Sequence, residues 1–192
     1  MALVCDKCSI VIYREEAHLK AGKESILAPP MSNLAVGSMG RVRGRKVSAV
    51  GRIRFEHERG MWDEWYLVDG RGNPVWLIEE EGTFTLEKNT EKPLPAGLPD
   101  GSIGDTFVYL GVRYQIVEKG KATVKGGEGQ LLKSFTPGED FDYIDLTEVS
   151  GDGRLTVEVF GDEVSGFVGH ALRPGQLSFP KVWGATERRE SG

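Results

Sequence analysis

Only two cysteines and three histidines occur in 192 residues, and their scarcity excludes a good deal. Cys5 and Cys8 are too few and too close together for the disulfide framework that staples a small secreted domain. Apolar runs such as Val75 to Ile78 and Val108 to Leu110 are far shorter than the roughly 20 residues of a membrane-crossing helix. The N-terminus has Asp6 and the cysteines where a signal peptide would pass from a basic start into an apolar stretch, so a cytoplasmic location is expected. Equally missing are a Gly-x-Ser-x-Gly elbow, a phosphate loop, a dinucleotide glycine fingerprint and a His-Glu-x-x-His helix. His57 and His170 stand alone in strand-like runs, and Asp142, Asp145 and Glu148 read as an acidic surface without partner ligands. This inventory favours a protein that is not an enzyme.

Charge is balanced overall but unevenly placed. The chain has 24 Lys+Arg against 29 Asp+Glu, which argues against a dedicated nucleic-acid binder. Arg41 to Arg59 contains seven bases and two acids, whereas Glu139 to Glu163 contains nine acids and one base, Arg154. The basic stretch suits an acidic partner. Nucleic acid is the weaker candidate there, because Glu56, Glu58, Asp63 and Glu64 interrupt the patch.

What the sequence has in plenty is glycine, 26 residues, set between short runs rich in β-branched and aromatic side chains. Val47, Ala49, Ile53 and Phe55 alternate with Ser48, Arg52 and Arg54, the two-residue period of a half-buried strand, with Val50 the exception. Glu58-Arg59-Gly60 turns the chain into Trp62 to Val68, and Val75 to Ile78 and Thr83 to Leu86 complete a four-stranded meander. Residues 89–100 carry Pro93, Pro95 and Pro99 and read as a stiff linker. Seven strands follow: Thr106 to Leu110, Arg113 to Glu118, Ala122 to Val124, Gln130 to Phe135, Asp142 to Glu148, Leu155 to Phe160 and Val164 to His170. Gly37-Ser38-Met39-Gly40 and Gly101-Ser102-Ile103-Gly104 open the two runs alike, which indicates an internal repeat. The expected fold is all-β with little helix: two small barrel- or sandwich-like antiparallel modules over residues 33–88 and 101–172. An N-terminal hairpin and linker (1–32) precede them, and a loose or partner-docked tail from residue 173, with a lone Trp183, follows.

Several of these segments together resemble one bacterial family, the domain of unknown function 4178. They are Gly37-Ser38-Met39-Gly40, Arg43-Gly44-Arg45-Lys46-Val47, Val50-Gly51-Arg52-Ile53, Trp62-Asp63-Glu64-Trp65-Tyr66, and Trp76-Leu77 followed by Glu81-Gly82. Weaker likeness continues through Tyr143 to Leu146 and Leu155 to Phe160. The resemblance implies an auxiliary protein without assigned chemistry. Genes of the family often lie near those for polyamine-synthesis enzymes, phage-shock-type membrane-associated proteins and small membrane proteins. That company implies a polyamine or membrane-stress setting, with peripheral membrane association through a partner. Longer relatives look as if they begin with a zinc ribbon of two Cys-x-x-Cys knuckles, and this chain has only what looks like the second.

Two constellations could carry function. Cys5 and Cys8 supply two of the four soft ligands that tetrahedral zinc wants, and His18 is the one nearby third donor, so the pair reads as a zinc-ribbon remnant. In the Trp62 to Tyr66 run, Trp62, Glu64 and Tyr66 fall on one strand face and Asp63, Trp65 and Leu67 on the other. In the structural alternative Trp65 and Leu67 fill the barrel while Trp62 and Tyr66 cover its mouth. In the functional alternative Arg52, Arg54, Trp62, Glu64 and Tyr66 form an exposed patch for a protein partner. The expected function is therefore a noncatalytic binding or assembly protein. A polyamine-metabolism enzyme, binding an amine along Glu139 to Glu163, and a nucleic-acid module are the competing classes.

Overall fold

Alternating apolar and polar side chains, punctuated by glycine turns, hold nearly all of the chain extended. The computed structural model describes residues 1–15, 18–30 and 32–180, and among them it is all-β, without helix. The strands are β1 (Ala2–Val4), β2 (Ile10–Glu15), β3 (His18–Glu24), β4 (Met39–Val42), β5 (Arg45–His57), β6 (Gly60–Asp69), β7 (Pro74–Glu80), β8 (Thr83–Asn89), β9 (Thr106–Tyr109), β10 (Val112–Leu131), β11 (Asp140–Glu148), β12 (Gly153–Phe160), β13 (Glu163–Ala171) and β14 (Leu177–Ser178). The first meander falls where its alternation placed it. In the second half, three expected strands between Arg113 and Phe135 are largely one continuous strand, β10, because its glycines continue the ladder instead of turning the chain.

The two runs share one sheet. Antiparallel pairing proceeds β5–β6–β7–β8 and β10–β11–β12–β13, and then β8 pairs β13 and β5 pairs β10. These eight strands close a ring, which removes the open edges that a four-stranded meander would leave. Each run thus supplies half of one barrel. The proline-bearing segment after β8 lies along the outside with Leu98 fully buried, and β1–β3 attach where Ala2 pairs Leu131 of β10. In the tail, β14 pairs β4, while Trp183 lies outside the described residues.

The internal repeat is real in the backbone, but its register differs from that of the two tetrapeptides. Gly37 N–H donates to Ala49 O as Gly104 N–H donates to Ile116 O. Ala49 N–H donates to Ser38 O as Ile116 N–H donates to Asp105 O. Ser38 Oγ accepts from Ala35 N–H, and Asp105 Oδ2 accepts from Ser102 N–H in the same way. Gly37 therefore corresponds to Gly104, not Gly101. The two hairpins after these loops turn alike, with positive φ at Arg43 and Gly44 (48° and 79°) and at Leu110 and Gly111 (52° and 81°), the signature of a type I′ turn. Val50, the break in alternation, occupies a β-bulge between Ala49 and Gly51, matched by Val117 between Ile116 and Glu118. The copies meet antiparallel around the Glu56–Thr123 pair, as a local two-fold demands.

Both faces of the ring are covered: one apolar cluster, with Phe55, Tyr66 and Phe141, faces the interior, and two more lie outside it. Leu155 and Val157 of β12 pack outward with Leu98, Tyr109, Ile116, Ile144 and Leu146. Trp65, Leu67 and Leu77 pack outward with Leu34, Val42 and Val47. The alternate positions, Arg154, Thr156 and Glu158 of β12 among them, point into the barrel.

Candidate functional site

Two cavities occupy the interior. The larger, about 820 Å³, is walled by Phe55, Trp76, Phe160 and Phe167 and bordered by the loop that follows β10. The smaller, about 220 Å³, draws lining residues from all of β5, β6, β7, β8, β10, β11 and β12. Glu87 and Glu158 line both. An eight-stranded ring encloses a volume that side chains can just fill or that can hold one small ligand. Here the interior is filled only in part, and with an unusual mixture of aromatic rings and carboxylates.

Glu64, Glu80, Glu87, Glu118, Asp145 and Glu158 all line the smaller cavity. Strand alternation puts them there, most plainly Asp145 between Ile144 and Leu146 and Glu158 between Val157 and Val159, whose apolar neighbours face outward. The main cation among them is Lys133, carried in by the loop after β10. Its Nζ lies 3.1 Å from Glu64 Oε2 and 3.3 Å from Glu158 Oε2. The ring centroids of Phe55, Trp76 and Phe167 stand 5.3, 5.7 and 5.7 Å from the same nitrogen, within cation–π range. The paired carboxylates outweigh the cost of burial and hold the Lys133 ammonium protonated well beyond its ordinary range.

Burial favours the neutral form of several of these acids, whereas Tyr143 and Arg59 outweigh burial at Glu118 and hold it below the usual carboxylate range. Burial raises Asp145 to about 7, although the Thr156 hydroxyl opposes it. Burial raises Glu158 to about 8 against the pull of Lys133, with Glu64 adding to the rise. Glu87 is raised well above the carboxylate range by burial and then by Asp145, Glu64 and Glu158. At the other end, Tyr143 donates to Glu118, His57 Nδ1 lies 2.9 Å from the Tyr143 hydroxyl, and Arg59 pairs with Glu118 from the rim. Trp62 stacks on Phe55 at 5.1 Å, and Phe141 stacks on Phe160 at 4.3 Å.

The five expected binding residues do not share an exposed face. Trp62, Glu64 and Tyr66 point into the barrel, with Glu64 and Tyr66 buried. Arg52 and Arg54 point outward and are buried under the N-terminal segment, 1% and 5% exposed. Arg54 forks onto Asp63 at 2.8 and 2.7 Å, Arg52 reaches the same carboxylate at 3.2 Å and Glu128 at 2.9 Å, and both guanidinium groups donate to Ala28 O. Trp65 belongs to this outer layer: Arg52 lies over its ring and its indole N–H donates to Glu79, which also accepts from Ser32. The arginines therefore clamp the chain ahead of β4 onto the barrel wall.

Cys5 and Cys8 lie in the turn between β1 and β2, where Cys5 N–H donates to Ile10 O and Ser9 N–H to Cys5 O. Both are free, Cys8 is exposed, and backbone N–H groups of Lys7 and Cys8 lower the Cys5 thiol. Two thiols make half of a tetrahedral donor set, the side chain of His18 lies outside the described residues, and no group of three or more metal-ligating side chains occurs among those described.

Lys133 and Glu87 escaped the sequence reading, which took in Thr156 and Glu158 only as part of the Glu139 to Glu163 stretch. A signal for the β12 residues is present, since Arg154, Thr156 and Glu158 alternate with Leu155, Val157 and Val159, but alternation alone assigns the apolar set to the barrel interior. Of the acidic stretch, Asp145 and Glu158 face inward, while Glu139, Asp140 and Asp142 are exposed.

Among the described residues no helix is long and apolar enough to cross a membrane. No curated protein and no solved structure matches the chain. The profile described as Domain of unknown function (DUF4178) matches residues 35–174, which include the whole ring of strands and leave out the cysteine turn, and the chain belongs to that family.

Proposed function

We propose that the protein is a noncatalytic binding protein whose ligand site is the interior of the barrel. One observation carries this reading: the eight strands surround two partly open cavities, about 820 Å³ and about 220 Å³, walled by aromatic rings and buried carboxylates. Such concave, ring-lined spaces with a few convergent polar groups are where proteins hold small molecules. A chain that needed only a stable core would fill them with apolar side chains, because each buried carboxylate without a full set of partners costs folding energy. Lys133 is engaged by two carboxylates and held protonated, which suits an electrostatic post and not a nucleophile.

The test is a thermal-shift panel of small anions, neutral compounds and cations against the unaltered chain, against Ser165→Trp, which fills the larger cavity, and against Thr147→Trp, which fills the smaller. One chemical class is expected to raise the transition saturably, and at least one tryptophan variant to lose that rise while unfolding cooperatively on its own. No shift with any class, or a shift that survives in both variants, refutes the reading.

A further inference from the structure

The inner end of the barrel holds two buried carboxyl groups that face a single hydroxyl donor. Thr156 Oγ lies 3.0 Å from Asp145 Oδ1 and 3.3 Å from Glu87 Oε1, and a hydroxyl has one hydrogen to give. The shorter contact assigns it to Asp145. Glu87, 8% exposed and aimed into both cavities, is then left without a donor. Its position is built, not accidental: a Cβ at Gly169, its neighbour on β13, would stand 2.6 Å from Glu87 Cγ, so the glycine makes room for this side chain.

The basic groups nearby are engaged elsewhere or act only at a distance. Lys133 is held by Glu64 and Glu158, and the His57 ring faces Glu80 and Glu118. Arg154 lines the same cavity and its charge acts on Asp145, but no ion pair between it and Glu87 or Asp145 forms among the described residues. A positive ligand would take the place of the protons that burial keeps on this pair. A divalent metal fits poorly, since calcium or magnesium takes six or more oxygens and no three metal-ligating side chains converge among the described residues. The walls beside the pair are Trp62, Ile78, Val117 and Tyr143, surfaces for carbon. The space of about 220 Å³ matches about seven waters at about 30 Å³ each.

We propose that the barrel binds a small organic amine whose ammonium sits between Glu87 and Asp145 and whose carbon chain lies against Trp62 and Tyr143. This rests on the interior being a ligand site, and the same barrel already shows that its chemistry suits the group. The Lys133 ammonium occupies an equivalent setting, two carboxylates within 3.3 Å and aromatic rings beyond them. Lysine fills one such place from within, and a free amine fills the other.

The experiment is calorimetric titration at pH 8 with n-butylammonium chloride, beside n-butanol, sodium chloride at equal ionic strength, and magnesium chloride. Butylammonium is expected to bind saturably and the other three not. Glu87→Gln and Asp145→Asn should each weaken it at least tenfold, and Glu163→Gln, at the rim of the larger cavity, should not. A second readout needs no variant: the indole N–H resonance of Trp62 shifts with butylammonium and stays put with butanol. Equal binding by magnesium, or undiminished binding to Glu87→Gln together with an unmoved Trp62 signal, overturns the proposal. If butylammonium gives no heat but a neutral or anionic compound from the thermal-shift panel binds, the amine assignment falls and the binding function stands. If nothing of any charge binds, both fall.

Discussion

Asp145 and Glu158 show how a single buried position sets a protonation state. Burial raises them to about 7 and about 8, so the folded chain keeps protons that the unfolded chain has released above about pH 4 to 5. The folded state binds more protons across that window. Stability is therefore highest at its acidic end and falls as pH rises through about 7 to 8. With about 1.4 kcal/mol for each pH unit that separates the folded from the unfolded value, the loss is on the order of a few kcal/mol. Asp145→Asn and Glu87→Gln should flatten this slope and raise the melting temperature at pH 8, measured by scanning calorimetry without ligand. An unchanged slope in both variants would show that these carboxylates are not buried as described. At the same scale, single residues explain why the arginines misled the sequence reading. Arginine next to tryptophan suggests an interface, and only the tertiary contacts of Arg52 and Arg54 with Asp63 and Ala28 show a clamp instead.

Among elements, the long strands β5 and β10 carry the most information per residue. Each bends at a bulge, Val50 in one and Val117 in the other, and each is led in by a type I′ hairpin. Gly129 of β10 has φ 73°, and a Cβ there would lie 2.3 Å from Val50 O, so backbone of one strand seats directly on the bulge of the other. Gly129→Ala should cost about 2 kcal/mol or more in chemical denaturation, because both the positive φ and the approach to a carbonyl oppose it. Gly111→Ala, at an open turn with φ 81° and nothing near, should cost about 1 kcal/mol. Equal costs would mean that the contact with Val50 contributes nothing. The strands themselves were legible: β5 to β8 and β11 to β13 follow from two-residue alternation between glycine turns. Which side of that alternation faces the interior was not, because β12 hides Leu155 and Val157 beneath the external Leu98 layer and turns Thr156 and Glu158 inward. A covered barrel has two insides, and local periodicity does not distinguish them.

At the scale of the molecule, the proline-bearing segment and the repeat both read as a boundary, yet the edges on either side of it pair with each other. The seams β5–β10 and β8–β13 join residues remote in sequence, and no local pattern announces such pairings. Half of the ring leaves two long edges exposed. Residues 1–100 and 101–192 expressed separately should each associate or precipitate, and mixed during refolding they should restore the dispersed amide spectrum of the intact chain. A sharp, dispersed spectrum from either piece alone would show that it closes without the other. The repeat was visible from two matching tetrapeptides, but the backbone equivalence of Gly37 with Gly104 depends on hydrogen bonds, which a near-identity of letters placed three residues away.

The seam between β8 and β13 also bears on how anything reaches the inside. Glu87 and Gly169 face one another across it, and both copies of the meander must be in place before that wall exists. Parting this one junction would break the chamber wall while the ladders within each half stay paired.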